Sequence, residues 1–158
     1  MSLVSVRPAR AGDADAIACV VKESWLNANR NLLPEDSAKA VSHCHRLAEV
    51  VTLNWRSVLV AEYDERVVGT VGVNEQGHIW MLYVMPGHQG LGIGSRLYDA
   101  AIESLRKNGA RKALLEVLAA NENAVAFYRA RGWVPEGRRT EHIPGFRFTA
   151  LRMGLALA

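Results

Sequence analysis

The segment Val84-Met85-Pro86-Gly87-His88-Gln89-Gly90-Leu91-Gly92-Ile93-Gly94-Ser95 joins an apolar run to a helical pattern through a glycine-rich turn. Backbone N–H groups in the first turn of a helix have no intrahelical partner and point outward. The helix dipole adds positive potential at the same place. Such a turn is a site for a pyrophosphate, and Gly90, Gly92 and Gly94 let a ligand approach with no Cβ in the way. Arg96 adds charge at the helix start. Two other phosphate-binding turns fit poorly. A P-loop requires Lys and then Ser or Thr after its last glycine, whereas Gly94 is followed by Ser95 and Arg96. A dinucleotide fingerprint opens a βαβ unit, whereas here the third small residue is Ser95 and the preceding strands read as a meander.

Read as Val84, Pro86, Gln89, Gly92 and Gly94, the turn carries V-x-P-x-x-Q-x-x-G-x-G, which resembles the acetyl-CoA signature of the GNAT superfamily of N-acetyltransferases. The stretch LEVLAANENAVAFYRARGW is similar to that family's strand-Asn-helix-Tyr-Gly segment, with Glu116, Asn121, Ala124, Phe127, Tyr128 and Gly132 at matching separations. Together with the order of elements, the resemblance extends over essentially the whole chain. It implies an acyl-CoA N-acyltransferase fold, acetyl-CoA as co-substrate without a metal, and an amine acceptor. It further implies that the pantetheine arm pairs with the backbone of Leu82, Tyr83 and Val84 as an added strand would, in a cleft where the fourth and fifth strands splay apart. Gln89, Gly90, Leu91, Gly92, Ile93, Gly94 and Ser95 would hold the pyrophosphate, Asn121 would contact the pantetheine, and Tyr128 would lie near the sulfur.

Amine attack on a thioester makes three demands. A lysine-type amine has a pKa of about 10.4 and must lose a proton. Glu116 is the first candidate base: it interrupts an apolar strand, where desolvation would raise its pKa, and it matches a carboxylate that resembling protein-N-terminus acetyltransferases use. The tetrahedral oxyanion needs a donor, which the Val84 N–H supplies without a side chain. The departing thiolate takes a proton from the Tyr128 phenol. Many family members also place a carboxylate on the fourth strand; His78 to Val84 has none, and His78 and Glu75 are expected at that strand's far end.

The elements that must position these groups follow from periodicity. Val4 to Val6 reads as a strand, and Asp13 caps a helix whose apolar side is Ile17, Val20, Val21 and Trp25. A second helix carries Val41, Cys44, Leu47, Ala48 and Val51, after a turn-rich stretch from Asn27 to Pro34. Val58 to Tyr63, Val67 to Val73 and His78 to Val84 form an antiparallel meander, the last strand apolar throughout and expected mid-sheet. A helix through Leu97 and Leu105 stops at Asn108-Gly109, a strand spans Ala113 to Leu118, and a helix from Asn121 closes at Gly132. Strands around Trp133 to Thr140 and Phe146 to Leu155 flank the Pro144-Gly145 turn. The result is an α/β mixed sheet, mostly antiparallel and flanked by four helices, in a single domain over residues 1–158. Segments Asn27 to Asp36 and Glu141-His142 are expected near the acceptor mouth.

Hydrophobic residues make up 49% and charged residues 22%, a globular composition, and the net charge of +3 is scattered rather than blocked. Nucleic-acid binding gains no support from it. No signal peptide or membrane span is evident, so a cytoplasmic enzyme is expected. His43, Cys44 and His45 face apart on a helix and do not read as a metal site. The terminal strands make a homodimer by edge pairing an expectation. Two rival readings stand beside the transferase: a catalytically silent acyl-CoA-binding sensor, and a nucleotide-binding regulator that would prefer ATP or NAD. Cys19 and Cys44 read as buried or half-buried thiols distant from the turn, with no Cys-His-Asp arrangement, which favours direct transfer in a ternary complex over a covalent route. Replacing both by Ala is expected to leave turnover largely intact; loss of turnover together with loss of an acetyl-enzyme mass signal would establish a covalent intermediate instead.

Overall fold

A computed structural model of the chain describes residues 4–29, 57–143 and 146–157. Val4–Pro8 (β1), Val58–Tyr63 (β2), Arg66–Val73 (β3) and Ile79–Val84 (β4) pair antiparallel in the order β1-β2-β3-β4. Asp64 and Glu65 both take positive φ, 49° and 64°, at the β2–β3 turn. That left-handed pair gives the hairpin a twist matching its strands. A second antiparallel sheet holds Lys112–Leu118 (β5), Val134–Ile143 (β6) and Phe146–Ala156 (β7) in the order β5-β7-β6. The mixed α/β, mostly antiparallel architecture expected from the sequence is present. β7 returns between β5 and β6, so among the described residues the first strand, β1, lies at a sheet edge and the last, β7, does not.

Three α-helices lie among the described residues: Ala14–Asn29 (α1), Ile93–Lys107 (α2) and Glu122–Arg129 (α3). The helix expected around residues 41–51, and with it Cys44 and the His43 and His45 pair, falls outside the described residues. On α1, Ile17, Val20, Val21 and Ser24 are buried at helical spacing. Cys19 falls off that stripe and is exposed, which corrects the expectation of a buried thiol. On α2, Ile93, Leu97, Tyr98, Ala101, Ile102 and Leu105 are buried. The helix ends where expected, with Gly109 at φ 83° after the Asn108 cap. Among the described residues no helix is long and apolar enough to cross a membrane.

The first sheet is covered on both faces. Ile17 and Val21 of α1 pack with Val58, Val60 and Met81. On the other side Leu97 and Ile93 of α2 pack with Val71, Val68 and Ala61, and the same cluster runs on to Leu115, Leu151, Met153 and Trp133 of the second sheet. The approach of α2 is close: a Cβ at Gly69 would collide with the Leu97 side chain. Each fully buried Leu or Val of this kind stabilises the fold by about 1.5–3 kcal/mol.

The entry into α1 is set by charge. Asp13 does not cap the α-helix but closes a 3-10 turn, Ala11–Asp13, accepting the Arg10 N–H at 2.7 Å. Its carboxylate also accepts from Arg7 at 2.8 and 3.1 Å, and Arg7 pairs with Glu62 of β2. The hydrogen bonds from Arg7 outweigh desolvation and hold the Asp13 carboxyl below its ordinary value. Because the folded value is depressed, this stabilisation is complete above the unfolded value of 3.8 and disappears as pH falls through the folded one. Asp13→Asn is therefore expected to lower stability at pH 7 by about 1–3 kcal/mol. In urea titrations, its gap from the unaltered protein should narrow as pH falls below about 4; a gap independent of pH would show that the ion pair is not its source.

Candidate active site

The two sheets meet, among the described residues, at one isolated parallel bridge between His78 and Leu114, where the Leu114 N–H donates to the Gly77 carbonyl at 2.9 Å. From there β4 and β5 diverge, and β4 pairs only with β3. The expectation of a mid-sheet strand is thus corrected: β4 is covered on its faces but is the last strand of its sheet, and among the described residues its second edge is unpaired beyond the bridge. The Met85 N–H donates to the Val68 carbonyl at 2.8 Å, and Tyr83 lies opposite Thr70. Backbone groups alternate along a strand. Those of Tyr83 and Met85 therefore belong to the β3 ladder, while those of Leu82 and Val84 face the opening. Of the three residues expected to pair with a ligand, Leu82 and Val84 have backbone groups available and Tyr83 does not. The Val84 carbonyl already accepts from Ser24 Oγ at 2.8 Å and from Gln89 Nε2 at 3.4 Å, which leaves its N–H as the open group.

The glycine-rich turn follows at the end of this edge. Pro86–His88 makes one 3-10 turn, after which Gly90 and Gly92 take φ of 81° and 79°. Gly92 is the N-cap of α2 and offers no side chain to its first-turn N–H groups, so these lack a side-chain cap. The space where a Cβ would stand is open at both glycines. Gly94 is already helical, Ile93 is buried beneath the turn, and Leu91 is exposed. Arg96, expected to add charge at the turn, instead donates to the Val4 carbonyl.

Asn121 caps α3, its Oδ1 accepting the Ala124 N–H at 3.2 Å. The amide N–H groups on the same side chain take no part in that cap. Tyr128, the next-to-last residue of α3, is buried in an aromatic cluster with Tyr98, Phe127 and Trp133 at ring separations of 6.5, 5.2 and 5.7 Å. The Trp133 Nε1–H donates to the Tyr98 hydroxyl at 2.8 Å. Burial, followed by the neighbouring Tyr83 and Tyr98 phenols, pushes the Tyr128 phenol well above its ordinary range.

Glu116 is not the desolvated carboxylate that its apolar neighbours suggested. Strand alternation turns it to the face opposite buried Leu115, where its side chain is 33% exposed and both oxygens accept from Arg139 Nη2, at 3.1 and 3.2 Å. Arg152 lies directly across on β7. His78 sits at the start of β4, as expected; burial pulls its imidazole below the ordinary value, Glu116 opposes this, and Arg152 and Arg139 add to it. The side chains of Glu141 and His142 lie outside the described residues.

Three contributors escape sequence reasoning. Ser24 holds the end of β4, and its signal is visible in retrospect: a serine on the buried 17-20-21-24 stripe of a helix. Arg139 fixes Glu116 across two strands, and Arg131 donates to Ser95 Oγ at 2.9 Å from a position 36 residues away. No local pattern announces either pair. Among the described residues no group of His, Cys, Asp and Glu is arranged to hold a metal ion.

Comparison with known proteins shows the family and the fold. Residues 24–133 match the family model of the acetyltransferase (GNAT) family. An uncharacterized N-acetyltransferase of Mycobacterium tuberculosis is 30% identical over 136 residues, 81% of this chain and 87% of its own. Among solved structures, a GCN5-related N-acetyltransferase from Rhodopseudomonas palustris superposes with a TM-score of 0.84 at 25% identity, covering 99% of this chain and 97% of its own. An acetyltransferase of Salmonella typhimurium solved with its cofactor acetyl-CoA shares the fold, with a TM-score of 0.71 at 19% identity over 99% and 95% of the two chains.

The buried phenol yields a direct expectation. The alkaline difference spectrum between the unaltered protein and Tyr128→Phe should show no phenolate step up to about pH 11, where an ordinary tyrosine with a pKa near 10 has largely ionised. A step near pH 10 would show that the ring is solvated.

Proposed function

Because the chain belongs to the acetyltransferase (GNAT) family and is an N-acetyltransferase of that type, we propose that it passes the acetyl group of acetyl-CoA to a primary amine by direct attack in a ternary complex. One observation carries this reading: the open edge of β4 runs straight into the uncapped N-terminus of α2. A ligand with an amide-bearing arm and a diphosphate fits that combination, the arm adding to Leu82 and Val84 as a strand and the diphosphate meeting the N–H groups of Gly90 to Ser95. Acetyl-CoA supplies the activated thioester, and the likeness to a protein solved with acetyl-CoA supports the choice.

In this reading the amine nitrogen attacks the thioester carbon, and the oxygen that gains charge accepts from the Val84 N–H. Arg139 fixes the Glu116 carboxylate, which takes the amine proton through water. The C–S bond then breaks, and Tyr128, held neutral by burial, donates a hydrogen bond to the departing thiolate, which takes its proton from water. Asn121 orients the arm from the cap of α3. The exposed free thiol of Cys19 accords with a reducing, cytoplasmic setting. A second reading, a silent acyl-CoA sensor, draws on the Glu116–Arg139 pair, which already occupies the carboxylate.

Calorimetric titration with acetyl-CoA, with ATP and NAD as controls, tests the donor site. Binding of acetyl-CoA alone is expected, and Gly92→Val should abolish it, since φ of 79° is strained for a branched residue and the added methyls enter the ligand's path. Glu116→Gln should lower kcat by about 10²-fold or more, as loss of a general base does, while the acetyl-CoA affinity holds. Binding without turnover of any amine in a library screen would favour the sensor; no binding at all would overturn the transferase reading for this chain.

A further inference from the structure

The guanidinium of Arg131 is held by two hydrogen bonds and by aromatic rings. Its Nη1 donates to the Phe127 carbonyl at 3.0 Å and its Nη2 to Ser95 Oγ at 2.9 Å. Its carbon stands 3.5 Å over the Phe127 ring and 5.4 Å from the centre of the Tyr98 ring. One side chain thereby ties the last turn of α3 to the first turn of α2. The bond to Ser95 also has a direction. Arginine only donates, so the serine oxygen is the acceptor and its own proton is turned away from the cation. A hydroxyl that accepts from a charged donor becomes a stronger donor in turn. Ser95 is the third residue of α2, within the same turn whose N–H groups lack a side-chain cap.

We propose that Arg131 is a positioning residue: it commits the Ser95 hydroxyl as a side-chain donor to the pyrophosphate of the acyl donor and locks that turn to the helix carrying Asn121 and Tyr128. The inference rests on the acetyl-CoA reading above. It makes Arg131 act through Ser95 rather than through its charge alone, and it requires a planar fork that can hold a carbonyl and a hydroxyl at once, which an ammonium cannot reproduce.

A double-mutant cycle tests it. Acetyl-CoA is titrated calorimetrically into the unaltered protein, Ser95→Ala, Arg131→Gln, Arg131→Lys and the Ser95→Ala/Arg131→Gln pair, with thermal melting of each. Ser95→Ala keeps the helix, since alanine is the best helix former. Each single change is expected to weaken binding about 5–10-fold, as loss of one charge-assisted hydrogen bond does. The pair should be no weaker than its weaker single member, and Arg131→Lys should give no recovery. Unchanged affinity in Ser95→Ala, multiplying losses in the pair, or full recovery with Arg131→Lys would each overturn the proposal, the last by assigning the effect to charge. Failure of the unaltered protein to bind acetyl-CoA is a different result: it removes the donor reading itself.

Discussion

Gly77 takes φ of 83° and lends its carbonyl to the Leu114 N–H, and a Cβ there would collide with the Lys112 carbonyl oxygen. This close backbone approach is where the two sheets touch, and the open edge of β4 and the glycine turn lie downstream of it. Were β4 and β5 paired along their length, the N–H and C=O groups of Leu82 and Val84 would be consumed by the ladder. Because pairing among the described residues stops at His78 and Leu114, the Leu82 groups and the Val84 N–H are left facing an opening, and the turn that follows β4 presents its own N–H groups at the same end. An exposed strand edge is ordinarily a hazard for aggregation. Here β5 stands on the side of that edge and α2 packs beside β4.

A set of polar anchors keeps the opening in shape. Ser24 of α1 holds the carbonyl of Val84, Arg131 joins α3 to α2, and Arg139 holds Glu116 across the second sheet. Each is a half-buried or exposed contact worth about 0.5–3 kcal/mol, small against the hydrophobic core. Their effect is on geometry: they fix the donors and acceptors that burial alone would leave free to rotate. The aromatic cluster around Tyr128 works differently, making the site apolar enough to keep that phenol protonated.

Much of this was legible in the residues. The glycine turn, the Asn121 cap, the Asn108-Gly109 stop and the meander of β2 to β4 are local patterns, set by backbone preferences within a few positions. What was not legible is cross-chain. Glu116 sits between Leu115 and Val117, and a run of apolar letters suggested a buried carboxylate; strand alternation gives alternate residues to opposite faces, and the second face is partly solvated. Arg131 precedes Gly132, where the helix from Asn121 was expected to close, and only the packing of the chain brings it to Ser95. Cys19 was placed inside by its helical surroundings, but it lies off the apolar stripe by one position.

The insertion of β7 between β5 and β6 bears on how the chain acquires this opening. β5 has no strand neighbour among the described residues except β7, apart from its single bridge to β4. Strands β1 to β4 can zip together as soon as they leave the ribosome, since all but the first pairing join consecutive segments. The wall formed by β5 must wait until α3, β6 and β7 have been made, a delay that non-local pairing imposes on any sheet built in this order. A nascent chain halted before β7 would therefore carry the turn and the open strand edge with no opposite bank, making that stretch of synthesis the period when a chaperone would have most apolar surface to cover.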